Sequence, residues 1–202
     1  MDLPEPRQTV VPSPYGKRHA PFALTTFRLL LGPVALAGAW LGMPRIVYLS
    51  LLIAGTISDV LDGVLARRFQ VSTPALRRYD SVTDMIYYLF LLAAAWIVCK
   101  PVLSKTLWAI AILILSEAAC VLVSFIRFNR YPATHTYLAK FYGLYILGSF
   151  IALLVFNASG WVVVSLMAVG LASNLEIIFI QLASDSPPVD VHSVFALHKD
   201  AN

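Results

Sequence analysis

The sequence predicts an all-α, polytopic membrane protein with six transmembrane helices and an N-terminal interfacial amphipathic helix. Hydrophobic residues make up 59% of the 202 residues and charged residues only 13%, against about 25% charged residues in an average globular domain. Apolar runs of about 20 residues, long enough to cross a bilayer, recur along the chain. A water-soluble domain of this size could not bury so much apolar surface, so we expect the chain to lie in a membrane.

Six apolar runs account for the predicted transmembrane helices. They cover residues 29–43, 46–66, 80–99, 102–126, 138–156 and 161–182, bounded by Pro, Gly or charged residues. Ahead of the first run, the short stretch 21–28 is amphipathic and is expected to lie in the headgroup plane. We therefore divide the chain into a polar cytoplasmic tail at 1–20, a membrane domain at 21–182 and a polar cytoplasmic tail at 183–202.

The distribution of basic residues predicts the orientation. If both termini are cytoplasmic, 12 of the 15 Lys and Arg residues lie on the cytoplasmic side, and only Arg45, Lys100 and Lys105 lie outside. Cytoplasmic loops of membrane proteins carry such an excess of positive charge. We therefore expect a multi-pass protein of the bacterial inner membrane whose functional site faces the cytoplasm.

Charge and cysteine content exclude several classes of protein. The net charge of +4 is modest, and the basic residues are scattered between hydrophobic segments, so no nucleic-acid partner is expected. Cys99 and Cys120 lie in predicted transmembrane helices without the spacing of metal ligands. We interpret both as small buried side chains, and we expect membrane lipids to surround the chain.

Four aspartates lie in or beside the second and third apolar runs. Asp59 and Asp62 are three residues apart and Asp80 and Asp84 are four apart, so each pair shares one face of its helix. The short connection between the two runs predicts that these helices are antiparallel neighbours. All four carboxylates would then meet at the cytoplasmic ends of the two helices.

Such a carboxylate cluster needs a compensating cation. An ionised acid at the middle of a transmembrane helix costs on the order of 3 kcal/mol on insertion scales. Mg²⁺ prefers oxygen ligands and is commonly held by one or two carboxylates with substrate phosphates, and pairs of ions stabilise the attacking and leaving oxygens of phosphoryl transfer. Gly63 and Ala66 leave room for a ligand to approach the backbone. The cluster is therefore predicted to bind Mg²⁺ or Mn²⁺, as two ions.

Other interpretations of the acidic residues indicate other functions. The aspartates would serve only to join helices if they formed ion pairs with Arg67, Arg68, Arg77 and Arg78. A cation-binding membrane transporter would favour acids near the bilayer midplane and a repeat between the two halves, and the sequence has neither. An intramembrane prenyltransferase would use aspartate-rich motifs in separate halves, and only one such group is present. Glu117 and Glu176 either pack between helices or support the metal site.

The spacing of these residues resembles the motif of the CDP-alcohol phosphatidyltransferase family, D-x2-D-G-x2-A-R-x8-G-x3-D-x3-D. Seven of its eight positions agree, namely Asp59, Asp62, Gly63, Ala66, Arg67, Asp80 and Asp84. Leu76 stands where the motif has its second glycine. Upstream, the family's N-terminal stretch is similar to residues 23–33, which read ALTTFRLLLGP, and the resemblance covers residues 21–182.

The resemblance implies an enzyme of phospholipid biosynthesis that transfers a phosphatidyl group from CDP-diacylglycerol to a small hydroxyl acceptor and releases CMP. It implies that Asp59, Asp62 and Asp80 hold the metal ions. Asp84 would reach one ion and also act as general base on the acceptor hydroxyl. The residues expected to line the CDP moiety are Asp59, Gly63, Ala66 and Arg67.

The acceptor side is less well defined by the sequence. Arg127, Arg130 and Lys140 flank a predicted cytoplasmic loop and are expected to bind a phosphate of the acceptor, although the topology alone also explains them. Serine, glycerol phosphate, inositol phosphate and a second lipid stay open as acceptors, with Ser81 and Met85 favouring serine over glycerol phosphate. The resemblance also implies a homodimer. A catalytically altered family member is the alternative that the change at position 76 suggests.

Overall fold

The computed structural model describes residues 19–71, 73–130 and 136–184. Within these ranges the chain forms seven helices and no strand, which confirms the predicted all-α fold. The helices are α1 (Ala20–Trp40), α2 (Arg45–Arg68), α3 (Pro74–Val98), α4 (Lys100–Lys105), α5 (Leu107–Phe128), α6 (Tyr137–Leu154) and α7 (Trp161–Ala183). All but α4 contain an apolar segment long enough to cross a membrane. The predicted tails at 1–20 and 183–202 lie almost wholly outside the described residues.

Two predicted boundaries differ from the structure. The stretch 21–28, expected as a separate interfacial helix, is continuous with the first transmembrane helix in α1, because no turn-forming residue separates them. The run at 102–126 is divided, since α4 ends at Lys105 and α5 begins at Leu107, with Thr106 between them. The Thr106 hydroxyl donates a hydrogen bond to the Val102 carbonyl at 3.0 Å, which satisfies a backbone acceptor at this break.

Local sequence signals define the starts of the helices around the acidic residues. The hydroxyl of Thr73 accepts a hydrogen bond from the Leu76 backbone N–H at 3.2 Å, and Pro74 occupies the first turn of α3. Thr136 caps α6 in the same way, accepting from the Ala139 N–H at 3.0 Å. These caps fix where α3 and α6 enter the bundle.

Helix α1 holds the first half of the bundle together. It packs extensively against α3 and α2, whereas the backbones of α2 and α3 make little contact with each other. The two helices are still neighbours, as the sequence predicts, because the Tyr87 hydroxyl of α3 donates a hydrogen bond to the Leu51 carbonyl of α2 at 3.3 Å. Small residues explain the close approach of α1 to α3, since a Cβ at Gly32 would lie 2.9 Å from Phe90 Cδ2 and Ala35 is fully buried.

The second half of the bundle is built around α7, which packs against α5 and α6. Helix α6 also contacts α2 and α3, so it forms a wall beside the aspartates. Many large apolar side chains face outward on the long helices, including Leu30, Leu115 and Leu144. Outward-facing apolar side chains are expected where the solvent is the acyl region of a bilayer.

Candidate functional site

The four predicted aspartates converge where the end of α2 and the start of α3 meet the first turns of α1. One carboxylate oxygen from each of Asp59, Asp62 and Asp80 lies within 4.8 Å of the other two. Asp84 joins them through a shared partner, the side chain of Arg28. The prediction that two helices contribute the four acids to one place is confirmed, but a third helix completes the cluster.

Arg28 of α1 lies at the centre of the acidic cluster. Its guanidinium forms ion pairs with Asp59 and Asp80, and Nη2 lies 3.3 Å from Asp62 Oδ2. Its Nε lies 2.9 Å from Asp84 Oδ1. Arg28 is only 2% exposed, so a single buried cation contacts all four carboxylates. The cluster as a whole carries a formal charge of −3, from four carboxylates and one guanidinium.

Hydrogen bonds from α1 position the cluster further. The Thr25 hydroxyl lies 3.0 Å from Asp62 Oδ2 and the same distance from the Pro21 carbonyl. The Ser58 hydroxyl donates to the Leu24 carbonyl at 3.3 Å. These contacts hold the first turns of α1 against α2, because buried polar groups in a membrane protein must find partners within the protein.

Contacts with α3 hold the same turns from the other side. The hydroxyls of Thr26 and Tyr79 are 3.0 Å apart, and the rings of Phe22 and Tyr79 stack with centroids 4.8 Å apart. Tyr79 precedes Asp80 directly, so these contacts fix the start of α3 relative to α1. The backbone positions of all four acids therefore depend on α1.

The cluster opens onto a cavity of about 490 Å³. Asp62 is buried, but the side chains of Asp59, Asp80 and Asp84 are 50%, 35% and 36% exposed. The cavity is lined by side chains from α1, α2, α3 and α6, including Arg28, Asp59, Asp84, Tyr87, Tyr88 and Lys140. A polar ligand in this space would reach Asp59 and Asp84 directly.

The donor set fits a divalent metal ion. Three carboxylates with oxygens this close provide the hard oxygen ligands that Mg²⁺ and Mn²⁺ prefer. The same three aspartates are ion-paired to Arg28. A metal ion and the guanidinium therefore compete for the same three carboxylates.

The residues predicted to line a CDP moiety follow the cluster along α2. Among the described residues, a Cβ added at Gly63 would find only Arg67 Nη1 nearby, at 3.7 Å, so this side of the backbone is open to a ligand. Ala66 is buried and Arg67 is exposed. Gly63 and Ala66 lie one turn after Asp59 and Asp62 respectively, as the helical spacing predicts.

The three basic residues predicted on the acceptor side do not converge. Lys140 lines the cavity, opposite Asp59 and Asp84. The Arg127 guanidinium instead donates a hydrogen bond to the Leu182 carbonyl at the end of α7. Arg130 is exposed just beyond α5, where its own carbonyl accepts from Ser124.

Leu76, at the position of the departure from the motif, lies in the first turn of α3 and is partly buried. Its backbone N–H is used by the Thr73 cap. The side chain therefore lies at the entrance to α3, one turn before Asp80.

The intramembrane acid Glu117 lies apart from the cluster. It lines a second, mostly apolar cavity of about 440 Å³ between α3, α5, α6 and α7. On the same helix, Ser116 accepts a hydrogen bond from Asn174 of α7 at 2.9 Å. This bond shows polar packing between α5 and α7, as expected for polar side chains between transmembrane helices.

Sequence reasoning missed Arg28 and Thr25 as site residues. Both lie in the stretch 23–33 that resembles the family's N-terminal stretch, but Arg28 was interpreted only as part of the positive charge of the cytoplasmic side. The available signal was an arginine inside an otherwise apolar helix. Such a residue points toward the protein interior and needs an acidic partner.

A known protein family matches most of the chain. The model of the CDP-alcohol phosphatidyltransferase family matches residues 18–174, a range that includes all four aspartates, Arg28 and Lys140. Members of that family transfer substituted phosphate groups from CDP-alcohols to an alcohol acceptor and usually use divalent metal ions. No curated protein and no solved structure matches the chain.

Proposed function

Because the chain belongs to the CDP-alcohol phosphatidyltransferase family, we propose that it transfers a phosphatidyl group from CDP-diacylglycerol to a small hydroxyl acceptor and releases CMP. The observation that carries this proposal is that four carboxylates converge beside a cavity large enough to admit the polar part of a substrate. Phosphoryl transfer needs charge neutralisation and positioning more than covalent chemistry, and this site is suited to both.

The metal-binding part of the proposal involves the acidic cluster. Asp59, Asp62 and Asp80 would hold the Mg²⁺ or Mn²⁺ ions, with Asp84 reaching one of them. Bound there, the two ions would neutralise the diphosphate of CDP-diacylglycerol. The oxygens of the first three aspartates already lie close enough together to share one ion.

The chain's own side chains would carry the remaining steps. The open backbone at Gly63 and the small Ala66 admit the CDP moiety, and Arg67 supplies positive charge beside it. Asp84 takes the proton from the acceptor hydroxyl. The acceptor oxygen forms a bond to the phosphatidyl phosphorus while the bond from that phosphorus to the CMP oxygen breaks, so CMP leaves with the electron pair.

The acceptor would enter through the cavity side that carries Lys140. This lysine is the basic residue of the three predicted that lines the same space as Asp59 and Asp84. An ammonium group there favours an acceptor with a negative group, such as a phosphate or carboxylate. Serine, glycerol phosphate and inositol phosphate all meet this condition.

The proposal is tested by incubating purified protein with CDP-diacylglycerol, Mn²⁺ or Mg²⁺ and a panel of acceptors. We expect CMP release that depends on one of the acceptors. If folded protein releases no CMP with any of these acceptors, the proposed transfer is rejected.

Leu76 supports a second candidate, a catalytically altered family member. A leucine in place of glycine adds a branched side chain in the first turn of α3, one turn from Asp80. If the natural protein releases no CMP and Leu76→Gly does, this candidate is favoured. Activity in the natural protein would exclude it.

The surroundings of the enzyme are also part of the proposal. The excess of basic residues at the ends of the helices that carry the acids supports a cytoplasmic site in a bacterial inner membrane. Labelling of single cysteines introduced near Arg68 and near Lys105, from either side of sealed vesicles, tests this orientation. The homodimer stays a prediction.

A further inference from the structure

Arg28 has a position that the phosphatidyl-transfer chemistry does not require. It comes from α1, outside the aspartate motif, and its guanidinium contacts every carboxylate of that motif. Its side chain is 2% exposed. Solvent screens the buried Arg28 guanidinium less than it screens a surface ion pair, although three of its four partners are a third to a half exposed.

The contacts of Arg28 overlap the proposed metal ligands. Asp59, Asp62 and Asp80 are the residues whose oxygens lie within 4.8 Å of one another, and the same three receive the Nη atoms of Arg28. A divalent ion bound to these oxygens would lie within a few ångströms of the guanidinium. Two cations at that separation repel one another even where solvent reaches part of the site.

We propose that Arg28 is an internal counter-cation, which occupies the acidic cluster when no metal is bound and gives up Asp59, Asp62 and Asp80 when a divalent ion enters. This rests on the proposed function only in requiring that the cluster binds metal. Arg28 thereby allows the metal-free chain to fold in the membrane, where four unpaired carboxylates would repel one another. The same contacts weaken metal affinity, because each ion must displace the guanidinium.

The cavity beside the cluster leaves room for the Arg28 guanidinium to move. The Nε contact to Asp84 does not involve the three clustered acids, and Arg28 also lines the cavity. Rotation of the guanidinium toward the cavity would keep Asp84 as a partner while freeing the other oxygens. The Thr25 hydroxyl, 3.0 Å from Asp62, would hold that acid in place during the exchange.

The test measures Mn²⁺ binding by electron paramagnetic resonance in detergent-solubilised protein without substrate. Arg28→Met removes the competing charge at similar length, and we expect it to bind Mn²⁺ about tenfold or more tightly than the natural protein. Arg28→Lys keeps the charge but cannot bridge all four acids, since lysine lacks the planar fork of arginine. The Mn²⁺ affinity of Arg28→Lys should lie between the affinities of Arg28→Met and the natural protein.

Arg68→Gln is the matched control, because it removes one positive charge from an exposed position at the end of α2 that carries Asp59 and Asp62. It should leave Mn²⁺ affinity nearly unchanged. A second readout is the unfolding temperature. The difference between the unfolding temperatures in Mn²⁺ and in EDTA should be larger for Arg28→Met than for the natural protein.

The outcomes separate this proposal from the proposed function. Mn²⁺ binding that is unchanged or weaker in both Arg28 variants would overturn the counter-cation role while leaving the metal site intact. Absence of Mn²⁺ binding in every variant would overturn the metal site and this proposal together. If Arg28→Met folds only with Mn²⁺ present, the loss of its folded state on chelation supports the proposal.

Discussion

The four aspartates have different surroundings, and this difference separates their roles. Asp62 is buried and bonded to Thr25, so it has little freedom to exchange protons with a ligand. Asp84 is about one-third exposed, lines the cavity and meets Arg28 through Nε alone. A general base must reach the acceptor hydroxyl, and of these two acids only Asp84 is placed to do so.

Replacement of Asp84 by asparagine should therefore reduce turnover by about 10²- to 10⁴-fold, as is typical for loss of a general base. Mn²⁺ binding in this variant should persist, because the three clustered acids remain. Asp62→Asn is the comparison, and it should weaken Mn²⁺ binding itself. CMP release and Mn²⁺ titration measured side by side check both, and near-normal turnover in Asp84→Asn would rule out its role as base.

Lys140 is predicted to bind the negative group of the acceptor. In Lys140→Met the KM for an anionic acceptor should rise about tenfold or more, since a charge-assisted hydrogen bond is lost, while the KM for CDP-diacylglycerol changes little. Arg130→Met removes the same charge outside the cavity and serves as control. Equal effects of the two substitutions on the acceptor KM would mean that only the overall positive charge matters.

At the scale of helices, α1 is the element on which the site depends. It supplies Arg28 and Thr25, and it packs against both helices that carry the aspartates. The contact with α3 is tight at Gly32, where an added Cβ would lie 2.9 Å from Phe90 Cδ2 and 3.0 Å from its Cβ. Phe90 Cβ is close to the backbone and cannot move away without shifting α3.

A larger residue at position 32 should therefore separate α1 from α3. We expect Gly32→Leu to lower the unfolding free energy by about 1 to 3 kcal/mol, the usual cost of overpacking, and to reduce CMP release because Arg28 moves with α1. Gly148→Leu on α6 is the control, because its added side chain meets open space. Thermal unfolding in the same detergent decides the comparison, and equal unfolding temperatures would contradict the close packing described for α1.

How much of this the sequence could predict differs between elements. The helical spacing of Asp59, Asp62, Asp80 and Asp84 was enough to place each pair on one face, because that spacing is local. The role of α1 was not predictable in this way, since the contacts of Arg28 join residues more than 30 positions apart. Short loops suggest that consecutive helices are neighbours, and α2 and α3 do meet through Tyr87 and Leu51, but the loop length gives no sign that both helices pack mainly on α1.

At the scale of the whole molecule, the bundle separates two environments. The half built on α1, α2 and α3 carries the charged cluster, and α6 closes its cavity. Between α3, α5, α6 and α7 lies the apolar cavity, which shares Tyr88 with the charged one. The four clustered aspartates thus lie at one end of the first three helices, on the side that the sequence predicts to be cytoplasmic.

The acidic cluster is proposed to work by holding divalent cations, and metal depletion tests this role most directly. Protein stripped with EDTA should release no CMP from CDP-diacylglycerol with its best acceptor, and added Mn²⁺ or Mg²⁺ should restore the release. Asp62→Asn, treated in the same way, should not recover. Full CMP release by thoroughly chelated natural protein would contradict the account.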